Sequence, residues 1–344
     1  MLGGLLALLS AATFGFNAVC VRRGVLTGTV LQAMAVTVPI GIPVTFLLVL
    51  VSGQAGHIGD FPLAPILWLS AAGIVHFIWG RYFSYLSMEA VGANLAAPVQ
   101  QFTLVISLGL AMLILDETIT PLKALGLLLV IVGPMIAMHR PKPEKGSGQK
   151  PAGGEKGEGE KGEDGAPSKP PGFQPRYFEG YLYGFLSTFG QGSSPILVAL
   201  GLKGLSPGMG LAGVFVSYLA ATAVVCLVLL LPGKGRHALS MGREPVKWFV
   251  LSGVFVGISQ ALRYMALTVA PVTVVSPIQR LSTVFRIVFG WSINRGHEIL
   301  NVWVIVGIAT SLLGAMALSV GIDIVIDNIP MPDSVIEVIR WEWP

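Results

Sequence analysis

The sequence predicts an all-α membrane protein with ten transmembrane helices, arranged as two inverted five-helix repeats. The first observation is composition: 53% of the 344 residues are hydrophobic, 12% are charged and the mean hydropathy is +0.74. Soluble domains carry about 25% charged residues, and disordered chains have low hydrophobicity, so both classes are excluded. The second is that charged residues concentrate in residues 139–177, between two sets of apolar runs. The third is that these two sets resemble each other.

Ten apolar runs are long enough to be transmembrane helices, because about 20 helical residues cross a hydrocarbon layer of about 30 Å. They cover approximately residues 2–21, 29–51, 63–87, 91–115, 121–138, 179–202, 208–231, 247–269, 271–293 and 300–320. Lipid leaves no partner for unpaired backbone groups, and the runs lack the alternation of barrel strands. We therefore predict a helical bundle.

Residues 139–177 are rich in Gly, Pro, Lys and Glu and have almost no apolar side chains to bury. Such a segment is expected to be a disordered linker. It divides the chain into a first repeat, residues 1–138, and a second repeat, residues 178–320, which an acidic tail follows at residues 321–344. The linker is expected to act as a tether, with a regulatory role as the alternative.

Matching residues recur in the same order in the two halves. The pairs are Ser10 with Ser187, Gly24 with Gly201, Tyr85 with Tyr264, Pro98 with Pro277, Gln100 with Gln279, Glu117 with Glu298 and Gly126 with Gly307. This order indicates a duplication. Because each repeat has an odd number of spans, the second enters the membrane in the opposite sense. Inverted repeats are typical of secondary transporters, whose substrate site lies near the midplane between the halves.

The first repeat also contains a recognisable set of motifs. They are Tyr85-x-Ser87-Met88-Glu89-Ala90, Ala97-Pro98-Val99, Leu115-Asp116-Glu117-Thr118-Ile119-Thr120, Gly126 and Gly133. This pattern resembles the EamA repeat of the drug/metabolite transporter superfamily, and a degraded second copy includes Asn294–Glu298. The resemblance covers all ten spans but neither the linker nor the tail. It implies two inverted repeats that work by alternating access, and it leaves the substrate unspecified.

Four arginines fall within the predicted spans: Arg81, Arg263, Arg280 and Arg286. Asp and Glu occur only at the edges of these spans, so the arginines have no deep carboxylate partner. A guanidinium keeps its charge and binds carboxylate or phosphate groups through two hydrogen bonds. We therefore predict an anion site around Arg280. Arg81 and Arg263 lie near span ends and are expected to reach lipid headgroups, although Arg263 remains a site candidate.

Further polar residues are candidates for substrate binding because polar groups inside a membrane are costly unless they face protein or water. These candidates are Asn17, Tyr85, Gln100, Gln101, Gln191, Ser194, Tyr264 and Gln279. Pro98 and Pro277 each remove a backbone hydrogen bond inside a span and are predicted hinges, with a static kink as the alternative. His76 is expected to bond between helices, with proton relay as the alternative.

The predicted function is secondary transport of a small polar metabolite, with an anion as the leading interpretation. Two alternatives remain: a broad exporter of neutral or amphipathic compounds such as amino acids, and a non-transporting receptor or scaffold. The sequence has no P-loop, zinc-ligand spacing or catalytic triad, so we predict no enzymatic activity, cofactor or metal. Basic residues form no stripe for nucleic acid. The expected partners are the metabolite and the lipid bilayer, and a homodimer is left open.

The protein is expected in the cell membrane as a multi-pass protein. Lys and Arg concentrate in the odd-numbered loops, which include the linker. The positive-inside rule therefore places the linker in the cytoplasm and both termini outside. Ten-helix members of the family that the sequence resembles usually have cytoplasmic termini, so the charge distribution and the resemblance predict opposite orientations.

Overall fold

The computed structural model describes residues 1–25, 27–59, 61–100, 102–137, 176–293 and 302–319, with isolated positions 332 and 341. The predicted linker up to residue 175 and nearly all of the predicted acidic tail lie outside these residues.

The α-helices are α1 (Leu2–Val25), α2 (Val30–Thr37), α3 (Gly41–Val51), α4 (Leu63–Gly73), α5 (Arg81–Gln100), α6 (Phe102–Leu115), α7 (Pro121–Ala137), α8 (Tyr177–Leu202), α9 (Pro207–Leu229), α10 (Lys234–Leu239), α11 (Arg243–Val269), α12 (Val272–Gln279), α13 (Ser282–Ile293) and α14 (Val302–Ser319). A 3₁₀ helix, Ala55–Ile58, precedes α4, and a π-helix, Ile74–Gly80, joins α4 to α5.

Seven segments in the described residues are long and apolar enough to cross a membrane. They are Leu2–Val25, Val30–Val51, Leu63–Ala90, Tyr177–Leu202, Met209–Leu229, Arg243–Val269 and Val272–Gly290. The shorter apolar helices α6 and α7 fall at predicted spans, as does α14. The described residues are therefore all-helical and the chain is a multi-pass membrane protein, whereas the count of ten spans stays a prediction.

The chain reverses direction within the residues assigned to α5, near the predicted boundary between the third and fourth spans. The Gln100 Nε2 atom donates to Ser84 Oγ at 3.0 Å, whereas 16 residues of straight helix would separate the two by about 24 Å. Ser87 and Val99 also approach the same point beside Gly184. The chain therefore reverses between Ser87 and Val99, so the end of α5 already belongs to the next pass, which α6 continues.

The two repeats pack against each other through equivalent, antiparallel contacts. Along α1, Ser10 bonds to Ser259 of α11 and Gly24 contacts Phe249, nearer the start of α11. Along α8, Gly190 contacts Gly80 and Gly201 contacts Leu69 of α4. Gly24 and Gly201 occupy matching positions in the repeat, so the first helix of each repeat packs on the third span of the other.

The last helices of the two repeats, α7 and α14, also cross in opposite directions. Gly126 contacts Gly314 and Leu318, whereas Val130, further along α7, contacts Gly314. The two helices therefore run antiparallel to each other. Glycine at this crossing lets the two backbones approach closely, which is typical of helix contacts in membranes.

Candidate functional site

A partly enclosed cavity with two lobes lies between the repeats, and several polar and charged side chains line it. Both lobes are lined by Phe14, His76, Gln191, Arg280 and Ser282. The inner lobe, of about 30 Å³, adds Thr103, Leu104, Ser107, Pro195, Gln260, Arg263, Ser276 and Gln279. The outer lobe, of about 80 Å³, adds Asn17, Ala18, Val21, Arg81, Ser84, Tyr85, Met88, Gln100, Val256, Thr283 and Arg286. A buried water needs about 10–15 Å³ on this scale, so the cavity suits one small solute.

The cavity extends toward one side of the bundle. A short loop joins the end of α8 to the start of α9 on one side of the bundle. The start of α8 and the end of α9 therefore lie together on the side opposite this loop, which is here named the linker side. The loop between α1 and α2 lies there too, because Thr29 Oγ1 and His237 Nε2 of α10 are 3.0 Å apart. Val21 and Met88, near the linker-side ends of α1 and of the third span, line the outer lobe.

Contacts between the repeats close the other side, here named the terminal side. Ser107 Oγ of α6 and Ser276 Oγ of α12 are 2.9 Å apart at the inner lobe. Nearer the terminal side, both carboxylate oxygens of Glu117 accept hydrogen bonds at 2.8 Å from the N–H groups of Val272 and Thr273. The described conformation therefore favours access from the linker side.

Four arginines line the cavity: Arg81, Arg263, Arg280 and Arg286. Arg263 is 2% exposed and Arg81 is 7% exposed. Arg263 donates to Ser194 Oγ at 3.1 Å, and Arg81 donates to Thr37 Oγ1 at 3.4 Å. The expectation that these two reach lipid headgroups is wrong, because both side chains turn into the bundle and line the cavity.

Arg81, Arg263 and Arg280 each keep one buried nitrogen without a hydrogen-bond partner, namely Arg81 Nη2, Arg263 Nε and Arg280 Nε. The acidic residues that the structure describes are Glu89, Asp116, Glu117, Glu179 and Glu244. None of these five lines either lobe. A buried charge without a counter-ion is costly, so a bound anion would stabilise this arrangement.

Comparison with known families decides the identity of the chain. It matches the EamA-like transporter family over residues 1–138 and 178–320. The chain belongs to the EamA-like transporter family. EamA-like proteins are integral membrane transporters, and the two matched regions coincide with the two repeats predicted from the sequence.

Two further comparisons bear on this EamA-like transporter. No curated protein matches its sequence significantly. A solved structure described only as "Crystal structure of protein" aligns with 92% of this chain and 95% of its own length, with a TM-score of 0.63 and 16% sequence identity. At that identity the likeness shows a shared fold alone.

The EamA fold brings most of the predicted site residues to one cavity. The residues that line it are Asn17, Tyr85, Gln100, Gln191, Arg263, Gln279 and Arg280. Ser194 stands behind the cavity, where it holds Arg263. Tyr264 is buried away from both lobes and donates to Ser217 Oγ at 2.9 Å. Gln101 lies outside the described residues.

The two predicted hinges have different surroundings. Pro277 is buried inside α12, two residues before that helix ends at Gln279. Arg280 and Leu281 then separate α12 from α13, so the ninth span is interrupted at the cavity. Pro98 lies in a stretch of α5 whose side chains are not described. Hinge motion at either proline stays a prediction.

Sequence reasoning missed Gln260, Thr103 and Ser276, although the repeat contained a signal for the first. The offset that pairs Tyr85 with Tyr264 also pairs Arg81 with Gln260. His76 lines both lobes and also bonds between helices, with its Nε2 3.3 Å from Gln260 Nε2. The equivalent positions of the two EamA repeats therefore carry different polar groups, and the site is chemically asymmetric.

Proposed function

We propose that this protein is a secondary transporter that moves a small anionic metabolite by alternating access between two inverted repeats of five spans each. One observation carries the proposal: Arg81, Arg263 and Arg280 surround a cavity in which none of the described acidic residues takes part. A guanidinium binds carboxylate or phosphate through charge-assisted hydrogen bonds. The guanidinium groups of these three arginines are the groups that such an anion would contact.

The packing supports the inverted arrangement and the transport cycle. The antiparallel crossing of α7 and α14 is what inversion of the two repeats requires. A cavity that reaches the linker side and is closed on the terminal side corresponds to one of the two states of an alternating-access cycle. In the other state, the contacts made by Glu117 and Ser107 with α12 would be broken.

Replacing Arg280 tests the charge of the substrate. We expect Arg280→Gln to reduce uptake of a transported anion into proteoliposomes at least tenfold, because a charge-assisted hydrogen bond contributes about 1.5–3 kcal/mol. Mass spectrometry of uptake from a metabolite mixture identifies which anions move. The matched control is Arg236→Gln, which removes the same charge from an exposed position in α10.

Unchanged anion uptake by Arg280→Gln, with normal folding, would contradict the anionic substrate. It would favour the broad exporter of neutral or amphipathic compounds, which predicts flux of amino acids and indifference to Arg280. The receptor or scaffold alternative predicts no substrate flux and a linker that is essential for function. Deleting residues 145–170 separates these functions, because a tether should tolerate the deletion.

A further inference from the structure

A buried pair of neutral side chains faces the inner lobe beside the arginines. His76 lies on the π-helix and is 8% exposed, and Gln260 lies on α11 and is 1% exposed. The Gln260 Nε2 and His76 Nε2 atoms are 3.3 Å apart. The two remaining polar atoms of this pair, His76 Nδ1 and Gln260 Oε1, are buried without a partner. π-Helical turns occur frequently at functional sites.

With a neutral His76, the pair offers at least one free donor and one free acceptor in either orientation of the Gln260 amide. If Gln260 donates to His76 Nε2, then His76 Nδ1–H is the free donor and Gln260 Oε1 is the free acceptor. If the amide is flipped, His76 Nε2–H donates to the amide oxygen. His76 Nδ1 is then the free acceptor and the amide nitrogen the free donor. In both cases the ligand must accept a hydrogen bond from one residue of the pair and donate a hydrogen bond to the other.

A hydroxyl group meets this demand from a single atom. It donates one hydrogen bond and accepts others, whereas an ammonium only donates and a carboxylate only accepts. An ammonium would also lie close to the positive charges of Arg263 and Arg280, which line the same lobe. The inner lobe has a volume of about 30 Å³, which favours a group as small as a hydroxyl.

The charged and neutral groups lie side by side in the lobe. Arg263 follows Gln260 by three residues on α11, and residues spaced in this way share a helix face. Arg263, His76 and Gln260 all line this lobe, and the Arg263 Nε, His76 Nδ1 and Gln260 Oε1 atoms are buried without a partner. A ligand that satisfies all of them carries its negative charge next to a hydroxyl group.

We propose that His76 and Gln260 bind a hydroxyl group of the transported anion, so that the substrate is a small hydroxylated carboxylate or phosphate. This inference rests on the proposed function and narrows its substrate class. A site built to bond a substrate hydroxyl rejects the analogue that lacks it, because the buried polar groups of the site are then left unpaired.

Three matched pairs of probes test the inference in proteoliposomes: L-malate with succinate, L-lactate with propionate, and glycerol 3-phosphate with propyl phosphate. These pairs also distinguish dicarboxylate, monocarboxylate and phosphate substrates. For each pair that is transported, we expect the hydroxylated member to half-saturate uptake at a concentration at least tenfold lower. In Gln260→Met, which keeps the side-chain length but removes both polar atoms, this preference should fall to within about twofold.

The melting temperature of purified Gln260→Met should stay close to that of the unmodified protein, which shows that the variant is folded. The matched control is Gln54→Met, which removes a half-buried glutamine outside the cavity and should keep the preference. If Gln260→Met does not fold, thermal unfolding of the unmodified protein decides: the hydroxylated member of a pair should raise the melting temperature more than its partner.

Three other outcomes would overturn the inference, the assignment to His76 and Gln260, or the proposed function. Equal affinity for both members of a transported pair overturns the inference and leaves the proposed function standing; a water molecule would then occupy the pair. A preference that survives in Gln260→Met overturns the assignment to these two residues. If neither member of any pair is transported and mass spectrometry finds no anion flux, the proposed function fails and the inference fails with it.

Discussion

At the scale of single residues, Gly190 determines how closely α8 approaches the segment that carries His76. A Cβ atom at Gly190 would lie 2.7 Å from the carbonyl oxygen of Val75 and 2.8 Å from the backbone nitrogen of Gly80. Both are backbone atoms of the π-helix, so they cannot turn aside as a flexible side chain would. Absence of a side chain at this position therefore fixes the placement of the cavity wall.

Gly190→Ala should destabilise the protein by about 1–3 kcal/mol, the usual effect of overpacking a well-packed contact. The measurement is unfolding in mixed micelles followed by circular dichroism. Gly109→Ala is the matched control, because a Cβ atom at Gly109 in α6 has no atom within 4 Å. Alanine there should be neutral or stabilising by up to about 1 kcal/mol. Equal stability of the two variants would contradict the close approach of α8.

The same scale shows which site residues the sequence could predict. Arg280 and Gln279 stand out because a charge or amide in an apolar span has few explanations. Thr103 and Gln260 did not stand out, because one polar side chain in a span also fits a bond between helices. The distinct roles of Ser194 and Tyr264 depend on which neighbour each contacts, and only packing determines that.

At the scale of elements, α12 is held at both ends by charge. The Glu117 carboxylate accepts both hydrogen bonds from the first turn of α12, and Arg280 follows its last residue. A negative charge at the start and a positive charge at the end both stabilise a helix dipole. Glu117 belongs to the first repeat and α12 to the second, so this cap joins the repeats on the terminal side.

Glu117→Gln should loosen the start of α12, because it removes the charge and leaves one oxygen to accept two bonds. Loss of a helix cap costs about 0.5–2 kcal/mol, and 1 kcal/mol corresponds to about a fivefold change in an opening equilibrium. Hydrogen exchange of the backbone amides of Val272 and Thr273 should therefore be about fivefold faster than in the unmodified protein.

The control for this prediction is the neighbouring variant Asp116→Asn. Asp116 is exposed and has a φ of 52°, a left-handed conformation that asparagine also tolerates. It should remove the same charge without changing exchange in α12. Unchanged exchange in Glu117→Gln would show that the cap does not hold α12.

The elements differ in how far the sequence predicts them. Apolar runs predict where the helices lie, since a span is defined by its length and hydropathy. The π-helix at Ile74–Gly80 was not predicted, because a one-residue change of hydrogen-bond register leaves no mark in composition. The break after Gln279 follows Pro277, which the sequence identified, although its position over the cavity depends on how α12 packs.

At the scale of the whole molecule, the two sides of the bundle differ in charge. On the linker side, Arg23 lies 5.0 Å from the ring of Trp248, and α10 contributes Lys234 and Arg236. Lys203 follows α8 on the terminal side. Positive charge favours the cytoplasm, so the charge distribution favours a cytoplasmic linker side and a cavity that opens inward.

Thiol labelling from the two sides of the membrane tests this orientation together with the direction of the cavity. The chain has two cysteines, Cys20 and Cys226, so a background with both replaced by alanine is simple to make. Single cysteines then replace Ser240 after α10, Ser206 before α9 and Met88 in the outer lobe. The reagent is a polar maleimide that does not cross the membrane.

We expect the reagent to label Ser206→Cys in intact cells, and Ser240→Cys and Met88→Cys only in inside-out vesicles. Ser206 and Ser240 are exposed and flank opposite ends of α9, so each reports one side of the membrane. Met88 should follow Ser240 because the outer lobe extends to the linker side. Labelling of Ser240→Cys in intact cells would reverse the orientation, whereas Met88→Cys that followed Ser206→Cys would contradict the direction of the cavity. The labelling pattern therefore tests the orientation of the protein in the membrane and the direction in which the cavity opens as two independent conclusions.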